Sequence, residues 1–115
     1  MTRRVFVFGS NLAGRHGAGS ALEAVRNHGA IRGLGEGIQG NSYAIPTKDW
    51  SMATLPLSDI SISVWQFLFY ARSHPSVQFD VVKIGCGLAG YKPYQIIPMF
   101  ANAPSNVHLP KGWRK

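Results

Sequence analysis

The sequence predicts a single α/β domain in which helices flank a mixed, largely parallel central sheet. Three observations carry this. Short runs rich in β-branched and aromatic residues alternate with segments whose apolar residues recur every three or four positions. Two glycine-rich stretches directly follow such runs, as turns between strand and helix do. A length of 115 residues suits one hydrophobic core and leaves no room for a second, so positions 1–115 are expected to form one unit.

Taken in order, "RRVFVFG" reads as a strand closed by Gly9. A helix is expected from about Ala18 to His28, with Ala18, Ala21, Leu22 and Val25 on one face and Gly29 ending it. "AIRGLGEGIQGNS" has glycines at 33, 35, 37 and 40, too openly spaced for regular structure, and is expected to be a loop. "SYAIPT" is a second, short strand. Beyond Pro56, Ser58 is expected to cap a helix carrying Ile60, Val64, Phe67, Leu68 and Ala71 on one stripe. A second stripe, Ile62, Trp65 and Phe69, leaves this helix apolar around most of its circumference, as if sandwiched between layers or covered by a partner chain. "VQFDVVKIG" is the clearest strand, Pro93 suits the first turn of a last helix in "YKPYQIIPMFAN", and "NVHLP" is a closing strand.

Composition narrows the function. A hydrophobic content of 45% argues against disorder, no stretch approaches the roughly 20 apolar residues of a membrane span, and the N-terminus lacks a cleavage site, so a cytoplasmic protein with no membrane partner is expected. One cysteine, Cys86, excludes an internal disulfide, and four scattered histidines show no metal-ligand spacing, so neither a metal nor another cofactor is expected. Twelve Lys and Arg against five acids give a formal charge of +7. Such a field attracts phosphates, whether on a small ligand or on a nucleic acid, and does not distinguish them. The scarcity of acids disfavours a carboxylate pair or a two-metal cluster. The oligomeric state is left open.

Two glycine motifs invite named readings that fail on detail. Gly9 and Gly14 have the spacing of a phosphate-binding loop of nucleoside triphosphatases, but Arg15 and His16 stand where Lys and a hydroxyl are required. Gly85, Gly87 and Gly90 spell the dinucleotide fingerprint, yet the 25 residues that follow include no acid for the ribose. What survives is mechanical: two glycine loops, at 9–19 and 85–90, leave the C-terminal ends of strands, and in an open α/β sheet such loops converge on one crevice suited to a diphosphate. For either loop alone, tight turning is an equal explanation. Lys48 follows a buried strand and could contact a phosphate or, once deprotonated, act at a sugar carbon, although a Lys-Asp dipeptide is ordinarily a solvated turn. Asn11 suits ribose hydroxyls or an Asx turn, His16 an acid-base role or an exposed loop position, Tyr91 stacking on a sugar or plain packing. Cys86 reads most simply as a small buried residue.

"FGSNLAGRHGAG", "YAIPTKDW" and "KIGCGLAGY", in this order, resemble the macrodomain superfamily, and most closely a short bacterial and phage form similar to the DNA ADP-ribosyl glycohydrolase antitoxins and the terminal ADP-ribose protein glycohydrolases. The resemblance implies a macrodomain-like fold that binds ADP-ribose or an ADP-ribosylated molecule, and hydrolysis of the glycosidic bond at the distal ribose. It implies Lys48 and Asn11 as the catalytic pair. The ligand would be bound by Gly9, Ser10, Asn11, His16, Gly17, Ala18, Gly19 and Thr47 on one side, and by Gly85, Cys86, Gly87, Leu88, Ala89, Gly90 and Tyr91 on the other. Two departures matter. The protein glycohydrolases carry an aspartate in the second loop where this chain has Ala89 and its neighbours, so the antitoxin pattern fits better, and no acid is found to orient the adenine. The alternative reading is a binder without chemistry that sequesters an ADP-ribose-derived signal, as a phage would use against a host defence.

Overall fold

The computed structural model describes residues 2–114. Its elements are β1 (Arg4–Asn11), α1 (Gly19–Asn27), β2 (Gly37–Gln39), β3 (Ser42–Lys48), α2 (Leu57–Arg72), β4 (Gln78–Val81), α3 (Pro93–Ile96) leading into a 3₁₀ turn (Ile97–Phe100), and β5 (Val107–His108). The strands form one sheet in the order β2-β3-β1-β4-β5, parallel throughout except for β2. From β1 the chain passes through α1 to reach β3 on one side; from β4 it passes through α3 to β5 on the other. The C-terminal ends of β1 and β4 are therefore neighbours whose connections depart in opposite directions, which opens a crevice between them.

Side-chain alternation along the strands makes two layers. Val5 and Val7 of β1, Tyr43 and Ile45 of β3, and Phe79 and Val81 of β4 face α2 and the α3 turn, where Ile60, Val64, Phe67, Leu68, Ala71, Ile96 and Phe100 complete the main core. Phe8 and Ala44 face the other way, onto Ala21 and Ala24 of α1, and this second layer is thin because α1 offers alanines. The buried stripe of α2 is the expected one, but its cap is not: the helix starts at Leu57 after Pro56, with no side-chain cap. Ile62, Trp65 and Phe69 stay solvent-facing, so α2 is packed on one side and not sandwiched.

Other expectations also change. Gly9 does not close β1, which runs on to Asn11, because parallel pairing with β3 continues past it. The clearest predicted strand shrinks to four residues. Val82 still donates to Val7 O, but Ile84 N turns back to Val82 O and Gly85 adopts φ +75°. In the segment expected to be wholly loop, Gly37–Gln39 pairs with β3 as an antiparallel edge. Two glycines, one on each side of the contact, show why glycine is needed there: a Cβ on Gly14 would lie 2.5 Å from Gly33 C, and one on Gly35, within the segment, would overlap the carbonyls of Asn11 and Leu12. The segment is thus backbone packed on backbone, pinned by Gly33 N to Gly14 O at 2.8 Å and by the Ser10 hydroxyl donating to Gly35 O. No helix among the described residues is long and apolar enough to cross a membrane.

Replacing Gly35 by Ala is expected to destabilise the domain by about 3 kcal/mol, since rigid backbone cannot yield. Gly87→Ala, with open space around its Cβ, should stay within about 0.5 kcal/mol; urea denaturation of the two variants checks the contrast. Burial pushes the Tyr43 phenol up to about 12, with nearby Glu36 and Tyr70 adding to the rise. The unfolded chain releases that proton near pH 10, so this stabilisation is intact below pH 10 and is lost as pH rises through 12, about 2 kcal/mol of it by pH 11.5. The stability gap between the wild type and Tyr43→Phe, measured at pH 9 and again at 11.5, should move by that amount.

Candidate functional site

Where β1 and β3 end, the ladder is irregular: Ser10 pairs with Pro46, but Asn11 pairs with Lys48, so Thr47 is an extra residue in β3. Bulges of this kind re-aim side chains beside functional sites. Here Thr47 donates to Ser10 O at 3.2 Å and accepts at its carbonyl from Leu55 N, and Asn11 and Lys48 become direct cross-strand partners at the lip of the crevice. Pro46 is tolerated because β2 stops opposite Ala44, leaving the far half of β3 without a strand on that side.

The crevice is a cavity of about 380 Å³, within the size range of small-ligand sites. One wall is the β1–α1 junction: Gly9, Ser10, Asn11, Gly17, Ala18 and Gly19, with Arg15, Ser20 and Ala21 added. The opposite wall is Val82 to Gly85 and Gly87 to Ala89; Thr47, Lys48 and Met52 close the β3 end. Both walls present unbonded backbone. In α1 the first amide to find an acceptor is Leu22 N, on Ala18 O, and the extended N-cap residue Ala18 offers no side-chain oxygen. The N–H groups of Gly19, Ser20 and Ala21 have no partner among the described residues. The same holds for Gly87, Leu88 and Ala89 in the second loop. Helix N-terminal amides and loop amides of this kind bind anions.

The charges agree. Arg15, Lys48 and Lys83 line the cavity, and no Asp or Glu does. The nearest acid in sequence, Asp49, is spent inside its own turn: its Oδ1 accepts from Ser51 Oγ, Ser51 N and Ala53 N, and the Ser51 hydroxyl above all holds the carboxyl below its ordinary range. Asn11 does not make the expected Asx turn: its Oδ1 accepts from Arg15 N, four residues on, at 3.0 Å, and the residue lines the cavity.

Four of the expected site residues lie off the lining. His16 is neither exposed nor in the crevice: its ring is fully buried, edge-on to Phe8 at 5.2 Å, with Nε2 3.0 Å from Leu34 O and 3.3 Å from Gln39 Oε1. It braces the first loop against residues 31–39. Tyr91 does not offer its ring to a sugar; its hydroxyl donates to Leu55 O at 2.7 Å, tying the second loop to the segment after β3. Gly90 makes the turn back, at φ +88°. Cys86 is half-buried with Sγ turned to Ile84 O at 3.5 Å, and burial pushes its thiol up, which disfavours a thiolate nucleophile. Arg15 and Lys83 were missed, although a cation beside each glycine loop was a signal present in the sequence.

No protein-family model and no curated protein matches the chain. Among solved structures it is similar to the macrodomain of Mycobacterium tuberculosis DarG, at 19% identity and a TM-score of 0.66, over 94% of this chain and 86% of that one. The chain has the macrodomain fold. Within this fold, the two amide-bearing walls stand at the switch point of the sheet and face the same space.

An aspartate at position 18 would cap the free amides of α1 and bring negative charge to them. Ala18→Asp should raise stability by about 1 kcal/mol and lower pyrophosphate affinity by about tenfold or more. Thermal unfolding and calorimetric titration of the same variant read these opposite signs.

Proposed function

We propose that this macrodomain binds ADP-ribose, free or attached to another molecule, with the diphosphate lying between the two sets of amides. The observation that carries the reading is the pairing of unbonded N–H groups on Gly19 to Ala21 with those on Gly87 to Ala89 across a cavity lined by three cations and no acid. The likeness to another macrodomain supports it. The Asn11–Lys48 pair at the β3 end is the place for the distal ribose.

The same reading assigns hydrolysis of the bond between that ribose and its acceptor. Departure of the acceptor leaves an oxocarbenium-like carbon. Lys48 acts at that carbon, by attack or by stabilising the intermediate; water ends up on the ribose, and the acceptor leaves with a proton. The amide walls contribute by fixing the remote diphosphate, which orients the reacting carbon. A second reading, retention without cleavage, is favoured by one observation: no carboxylate lines the cavity to serve as acid or base.

Lys48→Ala separates them. Under the hydrolytic reading the variant releases no ADP-ribose from an ADP-ribosylated oligonucleotide or peptide that the wild type cleaves, while its affinity for ADP-ribose stays within about threefold, a difference below about 0.7 kcal/mol. Equal turnover in the variant removes the lysine mechanism, and a ligand recovered unchanged from the wild type after prolonged incubation establishes the binder.

A further inference from the structure

The longest helix carries a face that its own fold does not cover. Ile62, Trp65 and Phe69 of α2 are 58%, 64% and 61% exposed, and the Trp65 and Phe69 rings are stacked with centroids 6.0 Å apart, so the face is a preformed ledge. Between Asp59 and Arg72 the helix has no charged residue. Beside Ile62 the face runs on into a shallow groove of about 250 Å³ whose apolar lining includes Leu12, Pro46 and Leu55. Exposed apolar side chains scattered singly need no explanation, but a contiguous patch marks an interaction surface.

We infer that this face pairs with itself, joining two copies of the chain through antiparallel α2 helices about a two-fold axis beside Trp65. Charge selects the occupant. The chain carries a formal +7, so a second copy meets like charge over much of the surface, and the uncharged stretch of α2 is where it meets none. The helix ends then set the direction. Asp59 lies in the first turn and Arg72 in the last, and Glu36, which accepts from the Ser63 hydroxyl at 2.9 Å, adds a second acid at the first end. With Ile62 level with Phe69 of the second copy, antiparallel pairing brings the acidic end of each helix to the basic end of the other, whereas parallel pairing sets acid against acid. A lipid surface is a poorer match, since helices that lie in a membrane interface are rich in cations and α2 has Arg72 alone. The area suffices. At these exposures the three side chains present roughly 400 Å² per copy, and the groove and the exposed Ser58 and Ser61 carry the total for two copies past the roughly 1,000 Å² of a specific association. Because α2 follows β3, its first turn lies at the crevice end of the sheet, so the antiparallel pair points its two crevices away from each other. The inference is thus independent of what the crevice binds.

Sedimentation equilibrium of the wild type between about 1 and 300 μM should show monomer passing to dimer, with a dissociation constant of roughly 10 μM. Trp65→Glu sets two carboxylates together at the axis and should weaken the dimer by about thirtyfold or more; Phe69→Ser should weaken it by about tenfold. Both side chains are exposed, so each variant should keep the wild-type thermal midpoint when dilute. Arg72→Glu should also weaken the dimer, and adding Asp59→Arg to the same chain should restore most of it, as antiparallel pairing requires. A wild type that is monomeric at every concentration, a Trp65→Glu variant that pairs as well as the wild type, or a double charge reversal without recovery overturns the inference. A monomer that sediments with vesicles of phosphatidylcholine and phosphatidylserine overturns it in favour of a lipid surface.

Discussion

Six backbone amides without an acceptor are the constraint around which the rest of this molecule is arranged. Gly19 to Ala21 and Gly87 to Ala89 lie in a crevice where no carbonyl or carboxylate of the described residues reaches them. Unbonded amides cost free energy when shut away from solvent, and they persist here because the crevice is open and lined by nothing that competes. Strand order makes the crevice: β1 and β4 are neighbours, and their connections part to opposite sides. The acids that could have neutralised the site are engaged elsewhere, Asp49 inside its turn and Asp80 with Arg4 at 2.6 Å.

Holding two flexible glycine loops in register takes support from behind. The first loop is backed by the 29–41 segment, where Gly35 lies against the carbonyls of Asn11 and Leu12, Gly14 lies against Gly33, and the buried His16 bridges toward Leu34 and Gln39. The second is fastened to the chain after β3 by Tyr91 on Leu55 O and by Thr54 on Ala89 O. His16 and Tyr91, side chains whose chemistry suggests contact with a ligand, thus serve to fix the loops that line the cavity.

Between the two walls, the bulge at Thr47 decides the polar end of the site. Without the extra residue, alternation along β3 would turn the side chain opposite Asn11 to another identity. With it, Lys48 stands across from Asn11, and the following turn carries Met52 to the cavity.

Much of this was legible in the linear chain. Alternating strand and helix patterns, the buried stripe of α2, and two glycine runs after strands determined the layered fold and the pair of loops, because periodicity and glycine content are local properties. The cations beside both loops were equally visible. Other features depended on contacts between distant segments. That Gly35 and Gly14 are close-packing glycines, that His16 is a buried brace and Tyr91 a tether, and that Gly37–Gln39 forms an edge strand follow from which backbones meet in space. So does the Thr47 bulge, a mismatch between two strands that neither strand encodes alone. Sequence by itself determined which residues could make turns, strands and charge; only tertiary structure decided which turned inward, because burial and register are set by the partner each segment finds.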